Sequence, residues 1–129
     1  MKVVKNDDYG GFGLSPLAVM EYAKLKGIEL FVYDDNYNRL YSLEQMEKEL
    51  YVLYYTKEFD GNRYANESFF SERDIERNDP CLVEVVEKLG EKANGRFAKL
   101  VVVEIPDGIE WEITEYDGWE SIEEVHRSW

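Results

Sequence analysis

The chain contains few residues of several kinds, and each scarcity excludes a class of protein. Its 129 residues include one cysteine, Cys81, so no intramolecular disulfide can form and a disulfide-stapled scaffold is excluded. A single histidine and a single cysteine exclude a zinc site of the usual kind, and no EF-hand calcium loop occurs. Magnesium or calcium held by carboxylates alone stays open, but we expect neither a metal nor a cofactor.

Long apolar runs are also missing. No window approaches the roughly 20 apolar residues that cross a bilayer, and residues 1–8 lack the apolar centre of a signal peptide. A reducing cytoplasm is the simplest compartment for a chain with one cysteine. We therefore expect a cytoplasmic protein that has no membrane partner.

Acidic residues are in excess, and the excess is uneven. The chain has 15 Lys and Arg against 28 Asp and Glu, a formal charge of −13. Residues 104–124 include nine acidic residues and no Lys or Arg. A surface of this kind repels phosphate, so we expect no binding to duplex nucleic acid. A basic protein partner fits this segment, and a solvated acidic face without a partner is the alternative.

A glycine-rich loop lies between a predicted strand at residues 2–5 and a predicted helix. The helix begins at Ser15, a good N-cap, with Pro16 at its first position, and Gly27 is placed to end it after residue 26. A mostly apolar strand at residues 28–33 follows. The loop contains Tyr9, Gly10, Gly11, Phe12 and Gly13.

The middle of the chain gives weaker signals. Ser42 is placed to cap a short helix that ends near residue 49, and residues 50–56 have the β-branched and aromatic character of a buried strand. Residues 57–78 mix polar, charged and aromatic side chains without a period. We expect a variable loop or insertion there, with a short strand at residues 68–71.

The last third is more regular. Asp79 and Pro80 begin a helix with apolar residues at helical spacing, and Gly95 follows its end. Residues 97–105 form a Val-rich run, which predicts a central strand covered on both sides. Residues 109–114 alternate apolar and polar, which predicts a strand with one wet face, and Asp117 is predicted to cap a final helix.

These elements predict an α/β fold, with α+β as the alternative. We expect a single domain over residues 1–129, in which a mixed sheet of about four or five strands packs against about three helices. Three Trp and ten Tyr are many to bury in one small core, so a homo-oligomer is consistent with the composition.

The glycine loop is the first candidate binding site. A helix N-terminus offers unpaired N–H groups and a partial positive charge, and adjacent glycines let an anion approach the backbone. Gly10, Gly11 and Gly13 would form such a cradle, and the flanking Tyr9 and Phe12 could stack on a nucleobase. The loop matches neither a dinucleotide fingerprint nor a P-loop, so a tight strand-to-helix turn is the alternative.

The cations Arg96, His126 and Arg127 complete the candidate ligand site. His126 is the one histidine, and Glu123 or Asp117 could support it as an acid or base. Packing at a helix end is the alternative for His126. Arg73, Arg77 and Arg96 form a further set of candidates. Arg77 and Arg96 flank one predicted helix, roughly 20 Å apart, so one small pocket within a monomer cannot use both. Surface pairing with carboxylates is the alternative for all three.

Several short motifs resemble those of an uncharacterised group of small proteins that is widespread in bacteriophages and bacteria. The motifs are YGGFGLS at residues 9–15, EIPD at 104–107, EYDG at 115–118 and HRSW at 126–129. The resemblance brings no catalytic residues with it. It implies a setting, the host cytoplasm, in which small phage proteins counter host defence by sequestering a nucleotide signal or by blocking a host protein.

Three functions follow as hypotheses. The first is binding of a nucleotide-like ligand by the glycine loop, Arg96, His126 and Arg127. The second is an acidic module that binds and inhibits a host protein. The third is a small hydrolase that uses His126, although we lean towards a protein without catalytic activity. The protein-binding surface of the second hypothesis would comprise Glu110, Glu112, Glu115, Trp119 and Glu120.

Overall fold

The computed structural model describes residues 1–58 and 68–125, and this part of the chain forms an α+β fold with three α-helices and eight strands. The helices are α1 (Pro16–Lys26), α2 (Leu43–Glu47) and α3 (Pro80–Leu89). The strands are β1 (Lys2–Asn6), β2 (Phe31–Asp34), β3 (Arg39–Leu40), β4 (Val52–Tyr55), β5 (Phe69–Phe70), β6 (Leu100–Glu104), β7 (Trp111–Tyr116) and β8 (Trp119–Glu124). None of the helices described here is long and apolar enough to span a membrane.

The first helix, α1, begins and ends as the sequence predicts. The Ser15 hydroxyl accepts a hydrogen bond from the Ala18 amide, and Pro16 occupies the first helical position. Gly27 adopts the left-handed conformation, with φ of 71°, and ends the helix. Its buried face, which includes Val19 and Tyr22, packs in the core against α3.

The third helix, α3, is amphipathic and its predicted start is confirmed, but it ends at Leu89, where Gly90 has a positive φ of 57°, and not at the predicted stop before Gly95. Asp79 caps it by accepting from the Cys81 amide, and Leu82, Val83, Val85 and Val86 are buried. A short 3₁₀ helix, Gly90–Ala93, continues it to the turn that contains Gly95.

The side chain of Asp79 also joins α1 to α3, and this contact predicts a pH dependence. Burial alone would raise the pKa of Asp79, but the bonds from Lys26, Tyr22 and the Cys81 amide outweigh it and hold the pKa below its ordinary value. A carboxyl group with a lowered pKa in the folded state stabilises the fold above its unfolded pKa. That contribution is lost as the pH falls through the folded value.

We expect Asp79→Asn, which keeps a side-chain oxygen that can cap α3, to lower the free energy of unfolding by about 1–2 kcal/mol at pH 7, because the bonds from Lys26 and Tyr22 lose their charged acceptor. Urea unfolding of both proteins at pH 7 and pH 3 measures the difference, which should shrink at pH 3. The matched control is Asp74→Asn, at an exposed position. An unchanged difference at pH 3 would argue against the ionised Asp79 carboxylate as its source.

Four strands form an antiparallel sheet in the order β3-β2-β4-β5. Val32 of β2 lies between Leu40 of β3 and Tyr54 of β4, and all three side chains are buried. The short helix α2 precedes β4, and its N-terminus is capped by a capping box between Ser42 and Gln45. The predicted short strand at residues 68–71 corresponds to β5. Residues 59–67 of the predicted loop lie outside the described residues.

Strands β1 and β6 form a separate two-stranded antiparallel ribbon, so β6 is not the central strand that its Val-rich sequence predicted. Val3 and Val4 of β1 are fully buried, whereas Val102 and Val103 of β6 are only half-buried. An apolar run reports on the faces of a strand, because side chains project from the faces. It does not report how many neighbours hydrogen-bond to the edges of the strand.

Strands β7 and β8 form an antiparallel hairpin, which corrects the predicted C-terminal helix. Asp117 and Gly118 both have positive φ, 53° and 89°, as the type I′ hairpin turn requires. An Asp followed three residues later by a Glu fits a helix cap equally well, and the local pattern does not separate the two. All the pairings in the described sheets are antiparallel, so the predicted mixed sheet is also replaced.

Candidate functional site

A groove of about 410 Å³ runs beside the glycine loop. Its lining includes the loop itself, from Gly10 to Pro16, and the segment from the end of α2 into β4. The turn that contains Gly95 and Arg96 also contributes to the lining, and so does Arg73. The groove therefore brings together the predicted glycine loop and the predicted Arg96.

Close backbone packing requires Gly10 of the loop and Gly95 of the neighbouring turn, whereas Gly11 is favoured by its positive φ of 88° and Gly13 would have room for a Cβ atom. A Cβ atom on Gly10 would overlap the backbone carbonyl of Phe97, and one on Gly95 would lie 2.7 Å from the carbonyl carbon of Gly13. The Gly95 amide donates to the Gly13 carbonyl at 2.9 Å. Gly118, in the hairpin turn, has room for no Cβ either, because the Tyr9 carbonyl occupies that space. This packing supports the structural explanation of the glycines, a tight turn.

The N-terminus of α1 is largely occupied by the protein's own groups. The Ser15 amide donates to the Ala93 carbonyl at 2.9 Å, and the Ser15 hydroxyl donates to the Lys92 carbonyl. The Ala18 and Val19 amides both bond to Ser15, and Pro16 has no N–H group. The predicted anion cradle at the helix N-terminus is therefore mostly filled, and an anion in the groove would need other donors.

The two aromatic residues of the loop lie in different environments. Phe12 is only 6% exposed, and the guanidinium carbon of Arg77 lies 3.5 Å from its ring centroid. Phe12 lines the groove, but it has little exposed surface on which a base could stack, which argues against its predicted role. Tyr9 is exposed, and its ring meets Trp119 edge to face with 5.0 Å between centroids.

Arg77 forms a buried ion pair that the sequence does not indicate. Its two terminal nitrogens contact the two carboxylate oxygens of Glu120 at 2.5 and 2.9 Å. The backbone amide of Asn6 donates to the same carboxylate at 2.8 Å. Glu120 is 4% exposed, so it does not belong to the surface on which the protein-binding hypothesis placed it. Arg77 and Glu120 are too far apart in the chain for any local sequence pattern to connect them.

Asn6 completes this network from inside β1. Its side-chain amide donates to the carbonyls of Asp8 and Gly118 at 2.7 and 2.8 Å, and its side-chain oxygen accepts from the Lys99 amide. A fully buried Asn is stable only when its groups are bonded in this way. Asn6 thus fixes the glycine loop and the hairpin turn to the ribbon. A lone Asn at the end of a short strand gave no signal of this role.

The other residues of the predicted protein-binding surface lie where a partner can reach them. Glu110, Glu112 and Glu115 are exposed, and Trp119 is partly exposed. Glu112 and Trp119 project from one face of the hairpin, which we call the outer face. Glu115 projects from the opposite face, which also carries the buried Glu120. These residues therefore do not form one continuous acidic face.

Arg73 and Arg96 are the functional candidates with the clearest structural signal. Within residues 1–58 and 68–125, Arg39 and Arg77 form ion pairs with carboxylates, whereas Arg73 and Arg96 form none. Arg96 makes one long hydrogen bond, 3.4 Å, to the Glu49 carbonyl. Both unpaired arginines line the same groove.

Apolar and acidic side chains surround these two arginines. Tyr51 and Phe97 line the groove and are 64% and 66% exposed. The buried strand predicted at residues 50–56 is shorter than predicted, because β4 covers only Val52–Tyr55 and only Tyr54 and Tyr55 are buried. Glu47, Glu49 and Glu72 also line the groove. The groove therefore combines aromatic surface, guanidinium groups and carboxylates.

A second cavity, of about 700 Å³, lies against α3 and the start of β1. Its cations are already paired, Lys2 with Glu87 at 3.0 Å and Lys88 with Glu21 at 3.7 Å. It therefore offers a ligand less unpaired charge than the groove does.

His126 and Arg127 lie outside the described residues, so their predicted place in the ligand site and the hydrolase hypothesis for His126 stay predictions. Among the described side chains, no three Asp, Glu, Cys or His residues are grouped as metal ligands. Comparisons with protein-family models, curated proteins and solved structures give no match to the chain. The resemblance to small phage proteins therefore also stays a prediction.

Proposed function

We propose that the protein binds a nucleotide-like, anionic small molecule in the groove beside the glycine loop. The observation that carries this proposal is the position of Arg73 and Arg96. In the part of the chain that the structure describes, these are the two arginines without a carboxylate partner, although the chain carries a charge of −13. Both of them line one groove.

Unpaired guanidinium groups fit a phosphate ligand. Arginine presents several N–H donors in a planar fork that matches two oxygens of a phosphate. In an acidic protein an arginine readily finds a carboxylate, so two that remain unpaired are available for an anion from solution. Because the helix N-terminus is mostly filled, we assign phosphate binding to Arg73 and Arg96 and not to the glycine amides.

The remaining groups of the groove fit a nucleobase. The exposed rings of Tyr51 and Phe97 can stack on a planar base, which is worth about 1–3 kcal/mol per base in nucleic-acid complexes. The carboxylates of Glu47, Glu49 and Glu72 can accept hydrogen bonds from amino groups of the base. The lining has three carboxylates and two guanidinium groups. This excess of negative charge disfavours a highly charged triphosphate. It favours a ligand with a single negative charge on each phosphate, as in a cyclic nucleotide.

Sequestration of such a ligand is the biological role that we propose. A phage-type protein that removes a cyclic nucleotide from the host cytoplasm would weaken a defence response that depends on the signal. This role rests on the predicted resemblance as well as on the groove.

Native mass spectrometry tests the binding proposal. The purified protein would be incubated with a pool of cyclic mononucleotides, cyclic dinucleotides and nucleoside mono- and triphosphates. We expect a mass increment from a cyclic nucleotide, and we expect Arg73→Ala or Arg96→Ala to weaken binding about 10- to 100-fold, since each removes charged hydrogen bonds.

The matched control is the double variant Lys24→Ala and Lys99→Ala. It removes the same charge as the two arginine replacements together, at exposed positions that do not line the groove. Binding should persist in this control. A protein that binds nothing in the pool, or that loses binding equally in both double variants, would contradict the proposal.

The second candidate function is binding to a basic protein through the outer face of the hairpin. On this face Tyr116 lies opposite Trp119 and Glu112 lies opposite Glu123, and all four side chains are exposed. Two glutamates directly opposite each other are destabilising, which a basic partner would relieve. A complex of this kind should weaken markedly between 50 and 500 mM salt, roughly the range in which surface charges become screened.

A further inference from the structure

The outer edge of β6 is an unpaired strand edge. Met1 and Ile105 exchange two backbone hydrogen bonds of 2.8 Å, and the Asp7 amide donates to the Lys99 carbonyl at 2.7 Å. This register directs the amides and carbonyls of alternate residues away from β1. The residues whose backbone groups point outwards are Leu100, Val102 and Glu104.

Few of these outward groups have a partner. The Leu100 amide donates to the side-chain oxygen of Asn94 at 2.8 Å. No other described residue bonds to the backbone amides of Val102 and Glu104 or to the carbonyls of Leu100 and Val102. The opposite edge of the ribbon is closed, because the Val4 amide donates to the Arg77 carbonyl and the Asn6 amide to Glu120.

We propose that β6 pairs antiparallel with β6 of a second copy of this chain, around a two-fold axis at Val102. This inference goes beyond ligand binding and does not rest on it. In this register Val102 faces the partner's Val102, and Leu100 faces the partner's Glu104. Four backbone hydrogen bonds form between the groups that point outwards, and the two ribbons become one four-stranded sheet.

The side chains of β6 fit this register. Val101 and Val103 lie opposite the partner's Val103 and Val101, so the three central positions all become pairs of valines. Pairs of β-branched residues across strands are favourable. The half-burial of these valines within one chain leaves apolar surface for the second copy to cover.

The local charge also favours a second copy. The ribbon carries Lys2, Lys5 and Glu104, with Lys99 adjacent, so it is not acidic although the chain is. An antiparallel register places the two Glu104 side chains at opposite ends of the new strand pair. A parallel register would place them side by side, where like charges are destabilising.

Replacement of Glu104 by proline tests the edge directly. Glu104→Pro removes an outward amide that has no described partner, and proline is tolerated at the edge of a sheet. Glu104→Ala is the matched control, because it loses the exposed ion pair with the N-terminus but keeps the amide. Light scattering after gel filtration measures the mass of each protein across a concentration series.

We expect wild type and Glu104→Ala to have twice the chain mass of 15.2 kDa at high concentration. Glu104→Pro should raise the dissociation constant of the dimer about 30-fold, because the dimer loses two backbone hydrogen bonds. Backbone bonds and valine contacts are not screened by ions, so the dimer should persist in 1 M salt. The Val102 amide should exchange slowly in the dimer and faster on dilution.

Two results would overturn this proposal. One is a wild-type protein that is monomeric at every concentration tested. The other is a Glu104→Pro variant that dimerises as wild type does, with a Val102 amide that exchanges at the same rate when dilute and concentrated. Either result leaves the nucleotide experiment unaffected, because Glu104 does not line the groove.

Discussion

Glu120→Ala is expected to lower the free energy of unfolding by about 3–5 kcal/mol, because it leaves the Arg77 guanidinium without its buried partner. It also removes the acceptor of the Asn6 amide. Urea unfolding at neutral pH measures the change. We expect Glu115→Ala, at the exposed position directly across the hairpin, to change stability by less than about 0.5 kcal/mol.

A paired replacement separates the ion pair from the packing around it. Arg77→Met together with Glu120→Leu removes both charges and keeps apolar bulk against Phe12. The double variant should be more stable than Glu120→Ala alone, since no buried charge is left unpaired. If Glu120→Ala is no more harmful than Glu115→Ala, the buried Glu120 carboxylate does not stabilise the fold through its bonds with Arg77 and Asn6.

Gly118→Ala is expected to be the second large effect. An L-residue in the left-handed region costs about 1–2 kcal/mol, and the new Cβ would also displace the backbone of the glycine loop, for about 1–3 kcal/mol more. Gly108→Ala is the matched control, because Gly108 also has positive φ but its Cβ would meet no atom within 4 Å.

The difference between these two glycine variants measures the contact between the hairpin turn and the glycine loop. We expect Gly118→Ala to be clearly less stable than Gly108→Ala in thermal unfolding. Equal losses of stability would mean that only the turn conformation matters and that the glycine loop moves aside without destabilising the fold.

The elements that the sequence predicts well are those with local signals. Ser15, Pro16 and Gly27 define α1 by capping and φ preferences alone, and Asp79 and Pro80 do the same for α3. The C-terminal hairpin was missed because Asp117 satisfies both a helix cap and a type I′ turn. The choice between the two depends on contacts with β1 and the glycine loop.

The groove could be predicted only in part. The glycine loop and Arg96 are indicated by the sequence, and the structure brings both to one lining. Tyr51 and Phe97 appear as strand residues in the sequence because aromatic composition does not distinguish a buried ring from an exposed one. That Arg73 and Arg96 lack partners follows from where the carboxylates lie in space, which no pattern along the chain encodes.

The central claim is that the groove beside the glycine loop binds a nucleotide-like anion, and an NMR titration tests it most directly. Cyclic mononucleotides and cyclic dinucleotides would be added singly to ¹⁵N-labelled protein. We expect the amides of Gly11, Gly95 and Arg96 to shift, with Gly27 and Gly108 unchanged as remote references. Shifts confined to the cavity against α3, or no shifts with any of these probes, would contradict the claim.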